Sequence, residues 1–233
     1  MADVTDVFTE VYTQNAWAAE SRSGEGSTVH AARNIIREIP LLLKSISATS
    51  LLDVPCGDFM WMQTVDLAGV DYIGADIVPP LIEANQARFA SGQRRFMVLD
   101  LTKDPLPAVD VILSRDCFLH LPLPMIFDAL RNIAASQAKW LLTSSYVWRG
   151  LPNNEETEGV FVGGRRINLE VEPFHFCPPR RTIPENEALE FCADKSLCLW
   201  RIEDVRAGLE LADLMARAKL TGRSGVMRGG LKA

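Results

Sequence analysis

Apolar and polar residues follow one another along this chain in two rhythms, and the order of the rhythms predicts its architecture. Within residues 28 to 44, HAARNIIREIPLLLK sets Ile35, Ile36, Ile39, Leu42 and Leu43 at the spacing of one helical face. Ser27 and Thr28 stand before it as candidate N-caps, and Pro40, which lacks the N–H a helix interior uses, is expected to bend or split it. SLLDV (50 to 54) is a short apolar run closed by an acid and the turn residues PCGD, after which FMWMQTVDL resumes a helical pattern. The unit then repeats. DYIGAD (71 to 76) is a strand, 79 to 90 a helix that starts with proline, and RRFMVLD (94 to 100) the next strand. VDVILSRD (109 to 116) is a fourth strand, 123 to 135 a helix, and KWLLTSSYV (139 to 147) a fifth strand. Strands that alternate with single helices need crossover connections, so the sheet is expected to be mostly parallel, buried on both faces and doubly wound.

After Tyr146 the rhythm breaks. Residues from about 149 to 181 are rich in Gly, Pro, Asn and Arg, and an irregular stretch of that length within a domain is usually a lid or a binding loop. The last candidate strands lie near 181 to 183 and 197 to 202, with ALEFCADK as the helix between them and a final helix over 202 to 219. The expected organisation is one domain over 1 to 208, opening with a lid segment over about 1 to 48, followed by a C-terminal helix and basic tail over 209 to 233.

Composition narrows the function. Hydrophobic residues make up 48% and charged residues 23% of the 233, the balance of an ordinary packed protein. The formal net charge of -6 disfavours a nucleic-acid substrate, because a phosphate backbone would meet net repulsion. The late run Arg217, Lys219, Arg223, Arg228 and Lys232 reads as a solvated tail or as a local basic patch. Five cysteines without a CxxC pair suggest neither a disulfide framework nor a zinc site, and reduced thiols in a cytoplasmic protein fit best. The N-terminus carries acids, and no stretch approaches the roughly 18 apolar residues of a membrane span.

In an open α/β sheet, ligands sit beyond the carboxyl ends of the strands. Here the first three strands all close with an acid: Asp53, Asp76 and Asp100. Asp76 lies about 20 residues past a glycine-containing turn, where a carboxylate reaches the hydroxyls of an adenosine ribose. Each acid taken alone equally suits a helix cap or a turn.

LLDVPCGDF, YIGADI, RFMVLDL and VILSRDCFLHLP, in this order and spacing, resemble motifs I to IV of class I S-adenosylmethionine-dependent methyltransferases, and the resemblance covers about residues 15 to 205. It implies a seven-stranded Rossmann-like sheet, the cofactor S-adenosylmethionine and the product S-adenosylhomocysteine. It also implies that Asp53 closes strand one at the cofactor loop, Asp76 holds the ribose and Asp100 accepts from the adenine amino group. Ile77 would pack on adenine, and the Leu101 N–H would lie near a ring nitrogen. The first loop departs from the family, since Pro55 and Phe59 replace two glycines and only Gly57 remains. That departure counts against a nicotinamide dinucleotide, whose pyrophosphate needs glycines for close approach. Cys56, with no evident cation to lower its pKa, reads as a small wall residue rather than a nucleophile.

Methyl transfer is an in-line displacement at an already activated carbon, so the protein chiefly aligns the acceptor and removes its proton. SRDCFLHLP places Arg115, Asp116 and His120 beyond strand four. Arg115 is expected on the cofactor side, and His120 is the best base candidate because an imidazole titrates near neutrality; it could equally pack the following helix. Asp116 has no acidic neighbours that would hold a metal, so no metal is expected. In WAAESRSGEGST, Trp17 is expected to close the pocket and Arg22 to pair with the methionine carboxylate, unless the segment is only an exposed capping loop. Tyr146, Asn168, Phe174 and Phe176 are candidate walls of an acceptor pocket and His175 a second base, although Phe174 and Phe176 also fit alternate core positions. The expected partner is a small-molecule acceptor with an O or N nucleophile, and the protein a monomer or homodimer. Protein or RNA methylation, or a silent module that binds the nucleoside without transfer, are the alternatives.

Overall fold

Five apolar runs pair in parallel: β1 (Ser50–Asp53), β2 (Asp71–Asp76), β3 (Arg94–Val98), β4 (Val111–Ser114) and β5 (Trp140–Tyr146). A computed structural model describes residues 3–148, 150–153, 163–185 and 193–226. β6 (Arg181–Pro184) and β7 (Lys195–Arg201) complete one seven-stranded sheet in the order β3-β2-β1-β4-β5-β7-β6. β7 runs antiparallel to both of its neighbours. The chain moves outward from β1 to β2 and β3, then returns to set β4 on the other side of β1. The loops that leave β1 and β4 therefore part in opposite directions and open a cleft between them, the position where doubly wound sheets bind ligands.

Strand residues alternate between two cores. Leu52, Ile112 and Leu141 enter the core on one face of the sheet, and their neighbours Leu51, Val111, Leu113 and Leu142 enter the other. A parallel sheet covered on both faces requires this continuous apolar sequence. α2 (Val29–Ser45) buries Ile35, Ile39, Leu42 and Leu43 on one face, and Thr28 caps it by accepting from the Ala31 N–H at 3.2 Å. Pro40 neither splits nor ends this helix; its apolar stripe is buried on both sides of the proline, so packing outweighs the lost backbone hydrogen bond. α3 (Pro79–Phe89) begins at the expected prolines. α4 (Leu123–Ala135) covers the opposite face with Ile126, Ala129, Leu130 and Ile133, beside Val205 and Leu209 of α5 (Ile202–Val226), which runs on without a break through position 208.

Three segments differ from their sequence patterns. FMWMQTVDL forms only a 3-10 turn at Met62–Thr64. Phe59 adopts a positive φ of 63° and is drawn into a cluster with Tyr72, Phe89 and Phe96, with ring centroids 5.1 to 5.3 Å away, so its aromatic ring is buried instead of extending a helix. At the N-terminus, α1 (Val4–Gln14) is a full helix that the sequence reading did not anticipate. Asp3 caps it by accepting from the Thr5 N–H at 2.8 Å, and Val4, Val7 and Phe8 pack against the core. In the late loop, Phe174 stacks against Phe127 at 5.2 Å and Phe176 meets Trp200 edge-on at 5.7 Å, so both serve as core residues. Most of the helix expected over ALEFCADK lies outside the described residues, as do Arg228 and Lys232 of the basic tail.

Replacing Phe174 with alanine removes a fully buried ring from this loop, and the expected loss of stability is about 3–5 kcal/mol by urea unfolding.

Candidate active site

Asp53 ends β1 opposite Gly74 of β2 and Leu113 of β4, and is 2% exposed. The Tyr72 hydroxyl donates to its carboxylate at 2.7 Å. Burial pushes the Asp53 carboxyl up to about 7, partly offset by the Tyr72 hydrogen bond, with the nearby Asp76 adding to the rise. Beyond β1 the chain leans on β2: the Cys56 N–H donates to Ala75 O at 2.8 Å and the Gly57 N–H to Asp76 Oδ2 at 3.1 Å. Asp76 Oδ1 accepts from the Val78 N–H at 3.2 Å, and burial raises this carboxyl to about 6 against those backbone bonds. Asp100 behaves oppositely. Its burial is outweighed by the Thr102 hydroxyl and N–H, at 2.6 and 2.9 Å, and by Lys103 at 3.0 Å, so its pKa stays below the usual range. Burial also pushes the Cys56 thiol well above its ordinary value, which leaves it unreactive as a nucleophile.

The three acids line one cavity of about 150 Å³. Of the residues singled out from sequence, Trp17, Arg22, Pro55, Cys56, Gly57, Ile77, Leu101, Arg115, Asp116 and His120 line it as well. Gly57 has a positive φ of 56°, and a Cβ there would fall 2.4 Å from the Ser23 hydroxyl oxygen. The contact is close because the N-terminal segment lies across this loop. Asp58 accepts from the Ser21 hydroxyl at 3.0 Å and from the Arg22 N–H at 2.8 Å, while its own N–H donates to Ser23 Oγ at 2.8 Å. The Arg22 guanidinium donates to Tyr12 O at 3.2 Å and lies over the Tyr12 ring, so it closes the C-terminal end of α1 at the cavity wall.

Beyond β4 a network of charges is buried. Arg115 reaches Glu185 through Nη2 at 2.5 Å and Nε at 2.9 Å, and approaches Asp116 at 3.3 Å. Asp116 has a φ of 53°; its N–H donates to Ser144 Oγ at 3.0 Å, and both of its oxygens accept from Lys195 Nζ at 2.9 Å. Burial would raise the Asp116 carboxyl, but Arg115 and Lys195 outweigh it and hold it well below the usual range, so this residue stays ionised and is a poor proton acceptor. His120 sits between Trp17 and Phe8, with centroids at 5.8 and 6.3 Å, and its Nδ1 lies 3.3 Å from Gly163 O. Burial lowers its pKa below the ordinary imidazole value, against the pull of Asp116.

A second cavity of about 630 Å³ opens on the far side of Trp17, Ser23, Asp116 and His120, which line both spaces. Tyr146, Asn153, Arg165, Arg166 and Lys195 contribute to its wall. Asn168, Phe174, His175 and Phe176 line neither cavity. Asn168 is tied to Asn153 through backbone and side chain, and its Oδ1 accepts from the Glu170 N–H at 2.9 Å. His175 occupies a turn with φ of 56° and donates its N–H to Val171 O. Sequence reasoning passed over Asp58, Tyr72, Glu185 and Lys195. Asp58 carried the one available signal, as an acid within the first loop; the others act only through tertiary contacts.

No family model matches the chain, and no curated protein matches it in sequence. Solved structures do. Magnesium protoporphyrin IX methyltransferase from Synechocystis PCC 6803, with bound S-adenosylmethionine, aligns over 86% of this chain and 98% of its own at 13% identity and a TM-score of 0.58. The methyltransferase domain of a bacterial Hen1 aligns over 72% of this chain and 98% of its own, at 14% identity and a TM-score of 0.50. Human N-acetylserotonin methyltransferase, in complex with S-adenosylmethionine, aligns over 84% at 16% identity and a TM-score of 0.50; this chain spans 54% of that enzyme's length. The chain has the class I S-adenosylmethionine-dependent methyltransferase fold. Within that methyltransferase fold, the cavity lined by Asp53, Asp76 and Asp100 lies at the carboxyl ends of the first strands.

Two substitutions probe this geometry. Gly57→Ala meets both the positive φ and Ser23, so it is expected to cost about 1–3 kcal/mol in urea unfolding, of which Ser23→Gly in the same chain recovers the steric part. Asp53 has a folded pKa near 7, above its unfolded value, so the folded state holds the extra proton; its contribution to stability is present at low pH and lost as pH rises through 7. Asp53→Asn is therefore expected to stabilise the ligand-free protein at pH 8 relative to wild type and to have little effect at pH 4. Equal shifts in melting temperature at the two pH values would contradict the assigned pKa.

Proposed function

We propose that this protein is an enzyme that moves the methyl group of S-adenosylmethionine to an oxygen or nitrogen of a small-molecule acceptor. The observation that carries the reading is the pair of cavities that share Asp116, His120 and Trp17, one lined by the three strand-end carboxylates and the other open to an acceptor. The residues suit the cofactor. Asp76 offers oxygens to ribose hydroxyls and Asp100 to an exocyclic amino group; Asp53 and Asp76, buried without a cationic hydrogen-bond partner among the described residues, favour a positively charged ligand. Ile77 and Leu101 supply apolar surface for a purine, Trp17 covers the pocket, and Arg22 is the candidate partner for a carboxylate once it releases the α1 carbonyls. Bound there, S-adenosylmethionine supplies a methyl carbon already activated by its sulfonium.

His120 is the proposed base. Gly163 O can only accept, so Nδ1 carries the ring proton and Nε2 keeps its lone pair for the acceptor's proton. Burial keeps the ring neutral near pH 7, and the permanent charge of Asp116 favours the imidazolium formed after transfer. The role of Trp17, stacked on His120, is to keep water from this junction. A small acceptor is favoured by the size of the second cavity, about 630 Å³, and the fold is shared with enzymes named for N-acetylserotonin and magnesium protoporphyrin IX.

Calorimetric titration with S-adenosylhomocysteine and assay of a metabolite panel test the whole reading. Binding is expected, weakened at least tenfold in Asp76→Asn; no uptake at millimolar ligand would remove the proposal, and binding without transfer would leave a silent module. For the base, the acid limb of kcat/KM is expected below pH 6.5, because activity requires neutral His120 and its pKa is lowered. His120→Ala is expected to abolish that limb and slow turnover about 100-fold. Full turnover in the variant at saturating acceptor would exclude His120.

A further inference from the structure

The two cavities differ in charge. The first is lined by Asp53, Asp76 and Asp100, whereas three cationic side chains, Arg165, Arg166 and Lys195, stand together on the wall of the second. Glu25 and Asp116 are the acids among the described residues of that second wall; Glu25 is exposed on the N-terminal segment, and Asp116 lies at the junction. Arg165 and Lys195 are only 8% and 4% exposed.

Burying these cations is expensive, and the fold spends partners on holding each of them at the cavity. Arg166 is gripped by Asp194 through two contacts of 2.6 Å, with its guanidinium 4.6 Å from the Tyr146 ring centroid. Arg165 donates to Leu121 O at 2.6 Å, which ties it to the chain just beyond His120. Lys195 bridges Asp116, at 2.9 Å, and Glu185, at 3.6 Å. If packing alone were needed, apolar residues of similar size would do it at less cost. What these groups add is a positive potential inside a space large enough for a small molecule, in a chain whose net charge of -6 would otherwise repel anions.

We propose that the second cavity takes an acceptor bearing an anionic oxygen group, a carboxylate or a phosphate, received by Arg165, Arg166 and Lys195, with Asp116 aiming Lys195. This rests on the methyltransferase reading for the first cavity and deepens it. Charge sorts the two ligands: the cationic donor goes to the acidic cavity, and the anionic acceptor to the basic one. The anchor would fix the acceptor so that its nucleophilic atom faces His120 and the junction.

The test uses matched probes on the protein saturated with S-adenosylhomocysteine: benzoate against benzamide, and phenyl phosphate against phenol, with binding followed by calorimetry. At least one acid is expected to bind at least tenfold more tightly than its neutral partner, and which pair responds distinguishes carboxylate from phosphate. Arg165→Gln and Arg166→Gln are expected to reduce that preference at least fivefold, while affinity for S-adenosylhomocysteine stays within twofold. Lys195→Arg is expected to keep the preference and Lys195→Met to lose it. Equal binding of acid and neutral partner, no binding by any probe, or a preference untouched in both arginine variants would overturn the assignment. Failure to bind S-adenosylhomocysteine at all would instead remove the methyltransferase reading itself.

Discussion

Two carboxyl groups, Asp53 and Asp76, are buried at neighbouring strand ends with hydrogen bonds from a phenol and from backbone N–H groups but, among the described residues, no cation within bonding distance. Burial alone makes ionisation costly, so both retain protons that exposed carboxyls lose. The rest of the site answers to this. The loop after β1 passes near enough for the Gly57 N–H to meet Asp76, with a positive φ at Gly57, and Ser23 leaves no room for a side chain there. The N-terminal segment then lies against the same loop through Asp58, and covers the cavity it helps to form.

Beyond β4 the balance of charge is reversed. Asp116 remains ionised because Arg115 and Lys195 surround it, and those cations are in turn met by Glu185. A carboxylate held ionised by Arg115 and Lys195 lies beside an imidazole held neutral by burial, so protonation here is decided by environment rather than by residue type. Gly163 O fixes the ring orientation from the late loop, which also sets the Arg165 and Arg166 side chains in the wall of the second cavity.

Much of this was legible in the residues. Continuous apolar runs separated by helical spacing predict a parallel sheet because both faces are covered, and the Asp residues at 53, 76 and 100 fall where strand ends should bring them. The misreadings have physical causes. FMWMQTVDL has helical spacing, but the Phe59 ring finds better burial against Tyr72, Phe89 and Phe96. Val4, Val7, Phe8 and Val11 do carry a helical period, hidden by the surrounding threonines and acids. Phe174 and Phe176 left a pocket wall and alternate core positions open in the sequence, and packing into the core beside Phe127 and Trp200 favours the second. Lys195 escaped notice because ALEFCADK reads as a helix that ends on it, whereas β7 begins there. In β7, which runs against its neighbours, the first residue reaches the ligand edge.

The reversed direction of β7 also divides the chain by task. The described residues along the first cavity come from positions 4 to 125, while the second cavity adds Tyr146, Asn153 and the cations from 146 to 195 to Trp17, Ser23, Glu25, Asp116 and His120 of the earlier stretch. The wall that the second cavity does not share with the first is thus written largely in the later stretch, and the two cavities meet at Trp17, Ser23, Asp116 and His120. Exchange of the later stretch would alter the second cavity, its three cations included, and leave the described wall of the first unchanged.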